Sequence, residues 1–251
     1  MQIIIDNTEQ FKIFFDVVSD VASELVELQL FPDRMTCSVL DRSKTRFFHV
    51  TFEDEFFDMY AIDDVTSIVV FIDDFNKLLK SVGKKDTLFL EINDDYLVAK
   101  VESESGNHRI FEFVLPSDFV NSPTPPHIDL PAVFECDVGD LEQSAKDIGL
   151  IGSDLYRFIV NNDGLVLMPS DTISTKYANS ISVDLENPLS ETIMCGVTLD
   201  YVIQMIKFKK INKKVKLKIG RDMPLFYIFE DNIMGVTITG MIAPRIPEEE
   251  E

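Results

Sequence analysis

The sequence predicts an α+β protein made of two topologically similar domains, each with two helices and antiparallel sheets. Three observations lead to this prediction: a helix–strand plan that occurs twice, alternating apolar and polar residues elsewhere, and a proline-rich stretch between the two copies. We expect domains at 1–115 and 132–247, a connecting loop at 116–131 and an acidic tail at 248–251.

The first helix of each copy is indicated by apolar residues at helical spacing. The matching positions are Phe11, Phe14, Phe15 and Val18 in the first copy, and Val138, Leu141, Ala145 and Ile148 about 130 residues later. Two alternating strands follow each helix. Their turns are predicted at Asp33-Arg34 and Asp163-Gly164, where short polar residues and glycine are favoured.

The second half of each copy also repeats. The segments "FIDDFNKLLKSVGKKDTLFLEI" and "TLDYVIQMIKFKKINKKVKLKI" each predict a helix followed by a strand, and Gly83 is the expected C-cap of the first. Two further strand-like runs follow in both copies. The prolines of "PSDFVNSPTPPHIDLP" predict an extended, stiff connection between them.

Charge and composition narrow the class of protein. The 251 residues carry a net charge of −21, yet of the 23 Lys and Arg four fall in 77–85 and eight in 207–221. No run of apolar residues is long enough to span a bilayer and no signal peptide is evident, so a soluble intracellular protein is expected. The scattered cysteines Cys37, Cys136 and Cys195 indicate neither a disulfide framework nor a zinc site.

Lysines line one face of the second predicted helix. With its apolar residues buried, Lys77, Lys80 and Lys84 lie on the opposite side at i, i+3 and i+7. Lys207 and Lys210 form a similar stripe on the last helix. Ordinary solvated lysines are the alternative interpretation, but a stripe repeated on equivalent helices of an acidic protein favours contact with a phosphate backbone.

Several short motifs carry a resemblance to a known family. The terminal "MIAPRI" followed by glutamates, the "VLDRSK" loop, the "RDMPL" strand entry and the duplicated plan resemble proliferating cell nuclear antigen (PCNA), the sliding clamp of archaea and eukaryotes. The resemblance extends over essentially the whole chain and is greater for the archaeal branch.

This resemblance implies the DNA clamp fold, in which three subunits form a pseudo-six-fold ring around duplex DNA. The helices would line the inside and the antiparallel sheets the outside. It places Lys12, Lys77, Lys80, Lys146 and Lys209 at DNA-facing positions, and helical spacing adds Lys84, Lys207 and Lys210. Some basic positions of the family are occupied here by Ile13, Ser19, Gln143 and Val202, which implies either weaker contact from the first and third helices or a partner subunit that supplies the contact.

The resemblance also implies partners and two further sites. DNA polymerase, flap endonuclease, DNA ligase and the clamp loader would insert PCNA-interacting peptides into a hydrophobic pocket. The implied pocket residues are Leu40, Thr45, Phe47, Phe119, Val120, Ile128, Pro224, Met241, Ile242, Ala243 and Pro244. The implied subunit edges carry Arg109, Ile110, Phe111 and Phe113 on one side, and Tyr177 and Ile181 on the other.

Three functional alternatives stay open from the sequence. The first is a homotrimeric replication clamp, the second is one subunit of a heteromeric clamp or a viral or checkpoint relative, and the third is an acidic hydrolase. The acidic clusters are the reason to consider a hydrolase, but "IDDF" is predicted to begin a helix and "NDDY" fits a hairpin turn. We therefore expect no enzyme activity, no cofactor and no metal, with a location in the cytoplasm of an archaeon or the nucleus of a eukaryote.

Overall fold

The structure, a computed structural model, describes residues 1–22, 24–93, 95–117, 120 and 122–245. The chain divides into two compact units. The first comprises Met1–Arg42, Phe48–Pro125 and Glu230–Ile238, and the second Ser43–Phe47, Pro126–Phe229 and Thr239–Glu251. The predicted acidic tail lies outside the described residues.

The first unit contains two helices and two groups of strands. Its elements are β1 (Gln2–Ile5), α1 (Thr8–Ser19), β2 (Leu25–Phe31), β3 (Arg34–Leu40), β4 (Arg46–Glu53), β5 (Met59–Ala61), β6 (Thr66–Phe71), α2 (Ile72–Ser81), β7 (Thr87–Ile92), β8 (Tyr96–Glu102) and β9 (His108–Val114). One group has the strand order β5-β1-β7-β8-β9 and the other β4-β3-β2-β6. The pairs β2–β3, β2–β6, β7–β8 and β8–β9 are antiparallel.

Phenylalanine rings fill the core of the first unit. Phe11 and Phe15 of α1 lie 4.9 Å apart between ring centroids, and Phe15 meets Phe75 of α2 edge-on at 5.1 Å. Phe52 of β4 lies 5.2 Å from Phe11. The apolar spacing of both helices therefore serves one aromatic cluster that packs α1 and α2 onto the strands.

The second unit repeats the plan. Its elements are β10 (Ala132–Asp137), α3 (Val138–Leu150), β11 (Leu155–Val160), β12 (Leu165–Asp171), β13 (Lys176–Ser182), β14 (Ile193–Thr198), α4 (Leu199–Ile206), β15 (Lys214–Ile219), β16 (Leu225–Asp231) and β17 (Val236–Ile242). The strand orders are β13-β12-β11-β14 and β10-β15-β16-β17. Pairs β10–β15, β11–β12, β11–β14, β12–β13 and β15–β16 are antiparallel.

Two glycines of the second unit occupy positions where a side chain would be strained or would clash. Gly164 has a φ of 72° at the turn predicted between β11 and β12, a conformation that residues with a Cβ rarely adopt. Gly240 on β17 lies directly against Tyr227 of β16, where an added Cβ would come within 1.9 Å of the ring. The buried tyrosine therefore occupies space that a side chain at 240 would need.

The predicted α+β class, with two helices in each copy and antiparallel sheets, is confirmed. Two helix ends differ from the prediction. α2 ends at Ser81 with extended Val82 as its C-cap, so Gly83 is not the cap and Lys84 lies beyond the helix. The Gly83 N–H instead donates to the Asp86 carboxylate at 2.8 Å.

The end of α4 also differs, because the helix stops at Ile206 and continues as a 3-10 turn at Lys207–Lys210. Phe208 within that turn is fully buried. Met205, three residues earlier on α4, is also fully buried. The predicted lysine stripe of the last helix is therefore carried by this turn.

Candidate nucleic-acid interface

Lys12 of α1 is engaged within the first unit. Its ammonium donates to the Val82 carbonyl at the end of α2, and the side chain is half-buried. The last carbonyls of a helix have no partner within the helix, and a cation there is favoured by the helix dipole. Lys12 thus joins α1 to the end of α2, a contact that its spacing along the chain does not predict.

The other lysines of the first unit each meet a carboxylate. We call the exposed surface with Lys77, Lys80 and Lys84 the first helix face. Lys77 pairs with Asp74 at 2.9 Å, Lys80 with Asp16 at 2.9 Å and Lys84 with Glu9 at 3.2 Å. The Asp74 carboxylate raises the pKa of Lys77, and the Asp16 carboxylate raises that of Lys80. Each of the three ammonium groups therefore lies beside its own counter-charge.

The second unit arranges its lysines around one carboxylate. Glu142 of α3 accepts from Lys209 at 2.7 Å and from Lys146 at 3.1 Å. Hydrogen bonds from Lys209 and then from Lys146 lower the pKa of Glu142. We call the exposed surface with Lys146, Lys207 and Lys209 the second helix face. Among the described residues, Lys207 makes no ion pair.

A cleft runs between α3 and α4 at this second helix face. It has a volume of about 270 Å³ and an apolar floor of Ala145, Ile203 and Ile206. Its rim is formed by Glu142, Lys146, Lys207 and Lys209. Ile203 is 43% exposed. The cleft therefore offers three cations and one anion around a small apolar surface.

Most residues of the implied docking pocket lie in the second unit. The Ala243 N–H donates to the Thr45 carbonyl at 2.7 Å, which joins the residue before β4 to the residue after β17. Phe47 and Ile242 are 2% exposed, and their side chains belong to the core. The half-buried members are Thr45, Ile128, Pro224, Met241, Ala243 and Pro244. Leu40 and Val120 are half-buried residues of the first unit, and Phe119 lies outside the described residues.

Arg46, the first residue of β4, contacts α4. Its guanidinium lies 4.3 Å from the centroid of the Tyr201 ring and donates to the Gln204 side-chain carbonyl at 2.7 Å. Arginine stacked on an aromatic ring and hydrogen-bonded at its edge is held in one orientation. The start of β4 therefore has a defined position on the helix.

The two strands of the implied subunit edges differ in character. Each lies at the end of its sheet among the described strands. β9 exposes Ile110 at 69% and Val114 at 65%, and a cleft of about 250 Å³ beside it includes Phe113 and Phe71. Arg109 on β9 is exposed and pairs with Asp86, whereas Phe111 and Phe113 are partly covered. An exposed apolar edge is a surface on which a further strand can pair.

The edge strand β13 of the second unit is more polar. Tyr177 and Ile181 are half-buried, and Tyr177 donates to the Asp147 carboxylate of α3 at 3.1 Å. The exposed positions of β13 are Lys176, Ala178, Ser180 and Ser182. This edge therefore offers backbone groups and small side chains instead of large apolar ones.

Acidic and cysteine side chains, which often form catalytic or metal sites, have structural surroundings in the described part of the chain. Asp73 and Asp74 lie in the first turn of α2, as predicted for the "IDDF" segment. The three cysteines are buried, and burial raises the pKa of each thiol to about 12. Within the described ranges, no three acidic, histidine or cysteine side chains could hold a metal, and no helix could span a membrane.

The sequence interpretation missed the carboxylates that face the lysines. Asp74 and Glu142 could have been found, because they stand three and four residues before Lys77 and Lys146. The contacts of Asp16, Glu9 and Glu142 with lysines of another segment depend on helix packing. No spacing in the sequence reveals such contacts.

Comparison with known proteins identifies the class of protein first. The structure aligns over 98% of its length with 99% of a chain in the crystal structure of a PCNA2–PCNA3 complex from Sulfolobus tokodaii, with a TM-score of 0.84 and 19% identity. At this identity the match defines the fold alone, which is that of a DNA clamp.

The sequence matches then name the family. Residues 3–116 match the family model for the N-terminal domain of proliferating cell nuclear antigen. The DNA polymerase sliding clamp of Methanothermobacter thermautotrophicus is 26% identical over 236 residues, 94% of each chain, and that of Methanobrevibacter smithii is 25% identical over 242 residues, 95% of each. Residues 3–116 belong to the PCNA N-terminal domain family, and the matches over the whole chain identify a PCNA-type sliding clamp. The resemblance found in the sequence is confirmed.

Proposed function

We propose that three subunits form a ring around duplex DNA, that this chain is one of them, and that the ring tethers DNA polymerase to its template. The observation that carries the proposal is the pair of helices in each unit, with lysines on the exposed face, in a chain of net charge −21. Lysines that contact phosphates bind any sequence, so such a ring slides freely along the duplex.

In this proposal Lys77, Lys80, Lys84, Lys146, Lys207, Lys209 and Lys210 face DNA, with Lys12 acting chiefly between helices. The edge strands β9 and β13 of neighbouring subunits pair to close the ring. Since a strand at a sheet edge has unpaired backbone groups, pairing of this kind extends both sheets. The chain acts as a scaffold without catalytic activity or cofactor, and its archaeal relatives support a cytoplasmic location.

The proposed partner site is the surface around Thr45, Met241, Ala243 and Pro244, with Pro224 and Ile128 beside it. The 2.7 Å bond between Ala243 and Thr45 and the contacts of Arg46 with α4 support a preformed site. A small apolar surface with a polar rim fits the short apolar peptides expected from polymerase, flap endonuclease, ligase and clamp loader.

A heteromeric clamp is the second candidate, favoured by the unequal edges. β9 exposes Ile110 and Val114, whereas β13 presents Lys176, Ala178, Ser180 and Ser182 at its exposed positions. Light scattering over a wide concentration range distinguishes the two. Three copies of the 28.6 kDa chain give 85.8 kDa for a self-closed ring, whereas a persistent monomer would require different partner subunits.

Encirclement of DNA is tested by comparing linear templates with open and with blocked ends. Primer extension by an archaeal replicative polymerase is measured on a linear template whose ends are either open or blocked by bound streptavidin. A ring that threads over free ends lengthens the products only on the open template. Equal stimulation of both templates, or of neither, would contradict encirclement.

A further inference from the structure

The helices α1 and α3 carry opposite charges at two equivalent positions. Each residue of α1 corresponds to the residue of α3 that lies 130 positions later, and this register superimposes buried Phe11 on buried Leu141 and buried Val18 on buried Ile148. The same register places Glu142 at the position of Lys12, and Lys146 at the position of Asp16.

Because the two charges are exchanged, the carboxylates of the two helix faces pair with different numbers of lysines. In the first unit Asp16 pairs with Lys80, and Glu9 and Asp74 hold the two other lysines of the first helix face. In the second unit the residue equivalent to Asp16 is itself a lysine. One carboxylate, Glu142, therefore faces both Lys146 and Lys209, while Lys207 has no acidic partner among the described residues.

Other acids of α3 and α4 lie in different contacts or at the helix starts. Asp147 accepts from Gln143 at 3.0 Å and from Tyr177 at 3.1 Å, which holds it towards β13. Asp140 and Asp200 occupy the first turns of α3 and α4, where they complement the helix dipoles. Glu142 is the carboxylate that lines the cleft with the three lysines.

We propose that Glu142 is an internal competitor of DNA phosphate, and that it limits the affinity of the second helix face for DNA. This inference rests on the proposed function. A phosphate approaching Lys146 or Lys209 must displace the Glu142 carboxylate, which also repels it. Both ion pairs are exposed enough for exchange, since the lysine side chains are 65% and 44% exposed. Exposed ion pairs are weak, so phosphate can replace the carboxylate.

The test is the equilibrium affinity of Glu142→Gln for a short, blunt, fluorescent duplex, measured by anisotropy between about 50 and 200 mM salt. The variant keeps the shape of the side chain and removes the charge. We expect about three- to tenfold tighter binding at the lowest salt, and a salt dependence steeper by about 0.9 for each additional phosphate that a lysine neutralises.

Asp171→Asn is the matched control because it also removes one paired carboxylate of the same unit. Asp171 pairs with Arg157 on β11, whose side chain lies on the sheet face opposite to Tyr156, the residue that contacts α3. We expect its affinity to change by less than about twofold, since salt screens charges beyond about 10 Å.

A reciprocal variant, Asp16→Lys, gives α1 the residue that α3 carries at the equivalent position. It also releases Lys80, and we expect it to tighten binding by a factor similar to Glu142→Gln. If both variants bind no more tightly than Asp171→Asn while the wild-type chain binds the duplex, the inference is wrong. If the wild-type chain neither binds the duplex nor stimulates the polymerase, the proposed function itself fails.

Discussion

The first and second helix faces share a backbone plan but distribute charge in different ways. Buried positions of α1 and α3 match in register, whereas Lys12 and Asp16 are replaced by Glu142 and Lys146. The first helix face has one carboxylate for each of its three lysines, whereas the second helix face has three lysines around a single carboxylate. Packing restricts the inward residues of a repeat, while the exposed residues are free to diverge with function.

The largest effect on stability is expected from substitutions at the buried helix positions that both units share. Phe11→Ala and its equivalent Leu141→Ala each remove a fully buried side chain from a helix. We expect the free energy of unfolding to fall by about 3–5 kcal/mol for Phe11→Ala and about 2–5 kcal/mol for Leu141→Ala. Urea unfolding followed by circular dichroism measures both.

Gln143→Ala serves as the control for these core variants, because Gln143 is exposed on α3. Its unfolding midpoint should stay close to that of the wild type. If Leu141→Ala cost no more than Gln143→Ala, the two helices would not share a buried face, and the register that relates the units would be wrong.

A second prediction sharpens the difference in charge. Replacing Lys146, Lys207 and Lys209 by Ala should weaken duplex binding by about tenfold or more at low salt, since three phosphate-binding ammonium groups are removed. Replacing Lys77, Lys80 and Lys84 should weaken it by only about threefold, because their carboxylates already neutralise them. Anisotropy titrations of the two triple variants compare these values directly. Equal losses would show that intramolecular pairing does not affect DNA contact.

The lysines on the helix faces illustrate what the sequence can predict. Helical spacing correctly predicted the buried faces of α1, α2 and α3, because burial follows the 3.6-residue period, whereas apolar Ile203 of α4 is 43% exposed. It could not show that Lys12 bonds the Val82 carbonyl or that Asp16 reaches Lys80, since these contacts join segments about 60–70 residues apart. The fold class, the helix pairs and the family were therefore predicted, whereas the electrostatic state of each lysine required the packed helices.

The ends of α2 and α4 show a second limit of the sequence. Gly83 was the expected cap because glycine commonly ends helices. Instead the helix ends at Ser81, and just beyond it Lys12 bonds the Val82 carbonyl and Asp86 binds the Gly83 N–H at 2.8 Å. Likewise the burial of Phe208 accompanies the 3-10 turn after Ile206. Both ends depend on side chains from outside the helix, which propensity does not include.

A third prediction distinguishes a lysine within the fold from a lysine at the DNA surface. Lys12→Met retains most of the chain length but loses the bond to the Val82 carbonyl. We expect the free energy of unfolding to fall by about 1 kcal/mol, the typical net value of one hydrogen bond. Duplex affinity should be nearly unchanged. Lys146→Met is the matched variant, which should weaken DNA binding and leave stability almost unaltered; the reverse pattern would exchange the two roles.

The smallest effect concerns the acid response of the second unit. Lys209 and Lys146 lower the pKa of Glu142 below its ordinary value of 4.5. The folded state therefore binds a proton at this carboxylate less readily than the unfolded state. The stability that the pairs contribute is fully present above about pH 4.5 and is lost as the pH falls through the lower folded-state pKa.

Glu142→Gln should consequently melt at a slightly lower temperature than the wild type at pH 7, and the difference should vanish in the acid range. Differential scanning fluorimetry across pH 3 to 7 measures this, with Leu150→Ala, a change at an exposed apolar residue of α3, as a control whose difference from the wild type is independent of pH. Because exposed ion pairs contribute about 0–1 kcal/mol, the difference is small. A larger difference at acid pH would mean that the lysines stabilise Glu142 less than the unfolded chain does. The carboxylate would then repel phosphate without holding the lysines, and only the repulsive part of its competition with DNA would remain.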